Sequence, residues 1–316
     1  MKLILRAALT ALNGGLVAAL ITLWLPQSTA SAHLASPAPP TAVERVWAPP
    51  AWHPGADELW VLEALDSPSV HVEGPKVRAR AAIVADLDRG VVLWTKNADT
   101  LRTVASLTKM VSSLTLASHP HDLDEQVCIT PDQWPARAGA RSRFETGVCH
   151  AGWELIGAAL VASDNRGAMA LPTIAGVEYS AFVDDMHTVS RELRLDQPSW
   201  ADPAGLDDAN MASARDMLKA VVAVSAHPDL QVAATAREWW IQRRRGPQLL
   251  PTTNRLIDTW ETLAAKTGYT DTARYTYATV VRTRSGRRLG VAVLGAPTNP
   301  SRFSDARTLI EWASKR

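Results

Sequence analysis

The chain has 316 residues, 47% of them hydrophobic, enough to fill one large core or two ordinary ones. Its 33 basic and 32 acidic side chains nearly cancel, which excludes a protein held to nucleic acid or to acidic lipid by its net charge. The triplet Arg243-Arg244-Arg245, followed by Gly246-Pro247, reads as a solvated loop between two elements.

Residues 1–32 have the layout of an export signal: Lys2 and Arg6, an apolar run densest over 16–25, then the small-residue site Ala30-Ser31-Ala32. Cleavage is expected after Ala32. The alternative, a membrane anchor, is disfavoured because Asn13-Gly14-Gly15 interrupts the run and leaves about ten strongly apolar residues, short for a span. The protein is therefore expected to be exported to the periplasm or cell envelope, with no stable membrane anchor. Residues 33–75 carry Pro37, Pro39, Pro40, Pro49, Pro50, Pro54, Pro68 and Pro75 and read as a linker. Trp47, Trp52 and Trp60 within it would dock on the following domain or on external glycan. The main domain is expected over 76–316.

Residues 77–85 are rich in Val, Ile and Ala, Asp88-Arg89-Gly90 supplies turn chemistry, and 91–94 continues as a second strand, predicting a hairpin. Next come Ser106 and Lys109, three apart, with Leu107, Met110, Val111 and Leu114 forming a helical apolar stripe. At that spacing the serine and the lysine stand one above the other, and the free N–H groups of a helix start favour negative charge at the serine oxygen. Two short strand-like pieces, 127–130 and 146–149, hold the only cysteines, Cys128 and Cys149. They either form a disulfide, contributing about 3 kcal/mol in the chain-entropy model, or remain two buried thiols.

Helical periodicity over 153–162 runs into Ser163-Asp164-Asn165, and 179–195 and 213–225 read as further amphipathic helices. The region from Ser106 to about Arg245 is thus expected to be mostly helical. Strands follow at 275–282 and 289–294 around Ser285-Gly286, and a closing helix is expected from Ser304 through Trp312. Strands at both ends with helices between them predict an α+β domain: an antiparallel sheet built from the two ends, flanked by helices, with an inserted helical lobe.

Ser106, Ser163-Asp164-Asn165 and Lys266-Thr267-Gly268 complement one another chemically. Ser106 needs a base, and Lys109 serves only when neutral, which burial and a nearby cation such as Lys266 would favour. Lys266 also attracts a substrate carboxylate, to which the Thr267 hydroxyl can donate. Gly268 lets a strand backbone lie close to a ligand. Ser163 can relay a proton to a leaving amine, and the Asn165 amide can hold a carbonyl. No cofactor or metal is needed. His119-Pro120-His121 lacks a third ligand nearby in sequence and reads as a loop.

Ser-x-x-Lys, Ser-Asp-Asn and Lys-Thr-Gly in this order form the motif set of class A β-lactamases and penicillin-binding proteins. Over about 77–315 the chain resembles the serine D-alanyl-D-alanine peptidases, the low-molecular-weight penicillin-binding proteins of peptidase family S11. Ala81-Ala82-Ile83-Val84, Pro203-Ala204-Gly205-Leu206, Ser213-Ala214-Arg215-Asp216, Thr253-Asn254-Arg255-Leu256 and Leu294-Gly295-Ala296 add to the likeness. The resemblance implies a β-lactamase/transpeptidase-like fold and an acyl-enzyme hydrolase acting on peptidoglycan stem peptides, with β-lactams as covalent inhibitors. It implies Ser106 as nucleophile, Lys109 as base, Ser163 as relay and Asn165 as a substrate-binding amide. Lys266 and Thr267 would hold the terminal carboxylate, and the N–H groups of Ser106 and Tyr269 would form the oxyanion hole. Arg302 would be either an additional carboxylate contact or a surface arginine.

Departures from the family pattern are Val104 in place of proline, Ala265 ahead of Lys266, and His187 after Met186. The main expectation is a D-Ala-D-Ala carboxypeptidase. The alternative is a DD-endopeptidase cutting cross-links, favoured by the chain's stop after the closing helix and by Arg141-Ser142-Arg143 and Asn165-Arg166. A β-lactamase would need a further base loop, for which Glu192 inside a helix is no substitute. A catalytically silent wall-binding module is disfavoured by the complete set of reactive side chains.

Overall fold

The structure, a computed structural model, describes residues 54–71, 73–131 and 142–316. The expected export signal, Trp47, Trp52 and Arg141 lie outside the described residues. Helix α1 (Ala56–Ala64) precedes β1 (Ala81–Asp86), β2 (Val91–Lys96) and the short β3 (Arg102–Thr103). A 3-10 turn, Ala105–Leu107, runs into α2 (Thr108–Ala117). Then come β4 (Gln126–Cys128), β5 (Cys149–Ala151), α3 (Gly152–Val161), α4 (Asn165–Met169), α5 (Leu171–Ile174) and α6 (Tyr179–Glu192). The remainder is β6 (Met211–Ala212), α7 (Ala214–Ala226), α8 (Pro228–Thr235), β7 (Glu238–Arg243), β8 (Gly246–Pro251), β9 (Glu261–Thr270), β10 (Arg274–Arg282), β11 (Arg288–Ala296) and α9 (Asn299–Ala313).

The main sheet has the order β2-β1-β11-β10-β9 and every pairing in it is antiparallel, so the two ends of the domain meet at its centre, Ile83 opposite Ala292. Both faces are covered. Ala81, Ile83 and Ala85 point into the core shared with the helical lobe, while Ala82 and Val84 join the core under α9 with Phe303, Leu309 and Ile310. This two-sided burial is why β1 reads as a continuous apolar run without alternation. At one edge, β9 carries Lys266, Thr267 and Gly268. The helical lobe is joined to the sheet at β3, which pairs with β6 immediately before the Ser106 turn.

Three features differ from expectation. Within the stretch read as linker, α1 buries Val61 and Leu62, and Leu65 beyond its end is buried too; Arg215 and Lys219 of α7 hold Leu65 and Asp66. The β7–β8 hairpin lies inside a region expected to be mostly helical, and Arg243-Arg244-Arg245 forms its tip, the loop between two elements that was expected; Arg243 pairs with Glu145 at 2.5 Å. Helix α9 begins at Asn299 because Thr298 caps it by accepting from Ser301 N at 3.2 Å. Cys128 and Cys149 stand opposite each other in the β4–β5 pair and form a disulfide, settling that alternative. Among the described residues no helix is long and apolar enough to cross a membrane.

Candidate active site

The serine and lysine of the first motif are brought together by a short 3-10 turn feeding a buried helix. Ala105, just before Ser106, has φ 52°, and Ser163 has φ 58°, so one serine follows a left-handed residue and the other is left-handed itself. Such conformations cost of order 1–3 kcal/mol each and persist where surroundings over-determine them. Here Val104 N donates to Asn210 O at 3.2 Å, and Val104 O accepts from the Thr276 hydroxyl at 3.1 Å. The turn is thus clamped between the lobe and β10.

Lys109 is fully buried. Its Nζ lies 2.9 Å from Ser106 Oγ, 2.8 Å from Asn165 Oδ1 and 2.6 Å from Ala204 O. Burial pushes its pKa down to about 7, against Asp202 and Asp164, which favour the charged form. Lys266 Nζ, also buried, lies 2.8 Å from Ser163 Oγ and 2.8 Å from Thr267 O. Its pKa is well below the ordinary lysine value, first through burial, then through the charges of Lys109 and Arg302. Burial is the first cause for both amines, and where both are charged they repel one another.

Gly268 passes directly over the Ser106 backbone: a Cβ there would stand 3.0 Å from Ser106 N. Thr267 Oγ1 donates to Thr253 Oγ1 at 2.7 Å. Tyr269 is 44% exposed at the edge of the sheet, its ring against Tyr275 at 4.4 Å between centroids and its hydroxyl on Asp271 at 2.6 Å.

The expected catalytic and substrate-binding residues from Ser106 to Tyr269 therefore lie in one cluster, reached from the 3-10 turn, α2, α4, β9 and the loop before α4. Arg302 is not a surface arginine. It is buried, donates to Gly268 O at 2.8 Å and Thr276 O at 3.3 Å, and lies against Tyr275 and Phe303. It braces the β9 backbone from beneath. His119 is paired with Asp185 at 3.0 Å, and among the described residues no group of three or more acidic, His or Cys side chains could hold a metal.

Two carboxylates escaped the sequence reading. Asp164 caps α4, accepting from Arg166 N at 3.0 Å, and also holds Ser142 Oγ at 2.7 Å and Arg143 N at 2.8 Å. Asp202 accepts from Ala204 N and Gly205 N, both at 2.6 Å, and so shapes the turn whose carbonyl meets Lys109. The signal for the second was Asp202-Pro203-Ala204-Gly205, an Asp followed by Pro and Gly, which reads as a side-chain-capped turn.

The protein family described as D-alanyl-D-alanine carboxypeptidase (Peptidase_S11) matches residues 68–298. A D-alanyl-D-alanine endopeptidase of Pseudomonas aeruginosa is 30% identical over 237 residues, covering 73% of this chain and 76% of that one. A D-alanyl-D-alanine endopeptidase of Escherichia coli is 27% identical over 243 residues, covering 75% and 78%. The crystal structure of a D-alanyl-D-alanine carboxypeptidase from Mycobacterium tuberculosis is similar in fold, with a TM-score of 0.71 and 24% identity over 79% of this chain and 96% of that chain.

Proposed function

The chain belongs to the D-alanyl-D-alanine carboxypeptidase family of serine hydrolases, and from that premise we propose that it is an exported DD-peptidase that removes the terminal D-alanine of peptidoglycan stem peptides. The observation that carries this reading is a buried amine, its pKa lowered to about 7, 2.9 Å from the Ser106 hydroxyl.

In this reading Ser106 Oγ attacks the carbonyl of the penultimate D-alanine while Lys109 Nζ takes its proton. Charge develops on the carbonyl oxygen, for which the N–H groups of Ser106 and Tyr269 are the proposed donors; losing one such donor typically costs about 2.7–4 kcal/mol. Ser163 passes a proton to the leaving amine, D-alanine departs, and water hydrolyses the ester on Ser106 by the reverse proton path. The Asn165 amide, which already faces Lys109, would orient the substrate carbonyl. Lys266 and Thr267 would receive the terminal carboxylate. An anion beside Lys266 favours its charged form, and that charge in turn keeps Lys109 neutral, so substrate binding and base activation support each other.

Cleavage of the equivalent bond in cross-links is the second reading, favoured by the two endopeptidase relatives that align with most of this chain. Fluorescent penicillin is expected to attach covalently to the wild type and not to Ser106→Ala; an unlabelled wild type would refute the acyl-enzyme. Incubation with purified cross-linked and uncross-linked muropeptides separates the two readings by which substrate is consumed.

A further inference from the structure

Lys109 makes three polar contacts, and their chemistry decides where its lone pair points. The Asn165 amide oxygen and the Ala204 carbonyl can only accept, so together they use both N–H groups of a neutral amine. The lone pair is left facing the Ser106 hydroxyl, 2.9 Å away. The aim of the base therefore depends on the place of one backbone carbonyl.

That carbonyl belongs to a turn wound around Asp202, a buried residue only 5% exposed. Its carboxylate accepts from Ala204 N and Gly205 N at 2.6 Å, Leu206 N at 3.0 Å, Asp207 N at 2.6 Å and Asn210 Nδ2 at 2.9 Å. No ordinary side chain other than a short carboxylate can accept from so many converging donors. Gly205, at φ 75°, brings the turn close to Ala105 O, where a Cβ could not fit. Ser112 of α2 ties the same turn to the helix that carries Lys109, donating to Pro203 O at 2.8 Å.

We propose that Asp202 is a positioning residue for the reaction: by gathering these N–H groups it presents the Ala204 carbonyl to Lys109 and so aims the amine at Ser106. The inference rests on Ser106 and Lys109 being nucleophile and base. The charged groups facing Lys109 are Asp202, Asp164 ahead of α4, and Lys266 on β9; Tyr179 of α6 is in turn affected by Asp202. Both carboxylates favour protonated Lys109. Removing the charge of Asp202 alone lowers the proton affinity of Lys109, whereas a turn that merely opens and admits water raises it towards the ordinary lysine value.

The test is the second-order rate of acylation by a penicillin as a function of pH. Asp202→Asn is expected to acylate about a hundredfold more slowly, with the acid limb of the profile displaced to lower pH. Asp202→Glu keeps the charge on a longer arm and is expected to be slower with its acid limb unmoved. Melting curves identify a variant that does not fold. If neither does, Ser112→Ala, which loosens the turn from the α2 side, decides, with a rate at least threefold below wild type expected. An Asp202→Asn rate within twofold of wild type, an Asp202→Asn acid limb unmoved or displaced upward, or an unchanged Ser112→Ala rate in the deciding case overturns the proposal. An unlabelled wild type defeats the acyl-enzyme reading instead, so the two failures are distinct.

Discussion

Gly268→Ala adds one methyl group where β9 passes Ser106, the proposed nucleophile. The new Cβ would stand 2.4 Å from Thr276 Oγ1 and 3.0 Å from both Ser106 N and Val104 O. Ordinary contact distances are about 3.5 Å, so relief requires a displacement of about 1 Å. Thr276 is fully buried and its hydroxyl is committed to Val104 O at 3.1 Å, so it cannot swing away freely. The other two atoms are backbone of the clamped turn that carries Ser106. The strand itself must therefore move, against the Arg302 guanidinium that holds Gly268 O at 2.8 Å. Overpacking of this kind costs about 1–3 kcal/mol, which in a domain of this size lowers the melting temperature by roughly 2–12 °C. The kinetic effect is the larger. A displacement of about 1 Å next to the reacting atoms costs about a hundredfold in rate, or about 2.7 kcal/mol of barrier. Rates of labelling by fluorescent penicillin, measured beside melting curves, check both numbers. A folded Gly268→Ala protein that acylates within twofold of the wild type would refute the claim that the approach of β9 to Ser106 limits the reaction.

Because Lys109 is held near 7 by burial, acylation is expected to rise with pH through about 7 as the amine loses its proton, and to disappear in Lys109→Ala; a flat wild-type profile across neutral pH would count against Lys109 as base. The same depression makes stability rise with pH between about 7 and the ordinary lysine value, since over that window the unfolded chain holds a proton that the folded chain does not. Urea midpoints taken at the two ends of the window check the sign. Reducing the Cys128–Cys149 disulfide, which spans a sequence separation of 21, is expected to cost about 3 kcal/mol and to leave penicillin labelling intact; lost labelling in a folded, reduced protein would assign the bridge a role in the site. Arg302→Met withdraws a charged donor from the Gly268 and Thr276 carbonyls, where such bonds are worth about 1.5–3 kcal/mol each. A lower melting temperature and slower acylation are expected, and unchanged values in both would show that β9 needs no brace.

Local patterns carried the reading where one period decided the outcome. The hairpin of β1 and β2 follows from an apolar run, a turn with Gly90, and a second run. Helix α7 starts where Ser213 and Asp216 form a reciprocal cap at 3.0 and 2.8 Å. The pattern was silent where an element is held by one or two anchors. In β7 only Ile241 is fully buried and the strand packs on α3 through Trp239, so its alternation is faint. Helix α1 stands among prolines and buries Val61 and Leu62 alone. One of the two readings of Arg302 was a surface side chain, because nothing within α9 reveals that Tyr275 and the β9 backbone enclose it.

Spacing along one helix determined, without any structure, that Ser106 and Lys109 are neighbours, and the order of three short motifs determined the chemistry they share. What only the folded chain decides is the state of the amine. Lys109 meets Asn165 across a sequence separation of 56 and Ala204 across 95, and Lys266 meets Ser163 across 103. Proton affinity depends on how completely water is removed and on which charges and carbonyls arrive from distant segments, and no local periodicity encodes either.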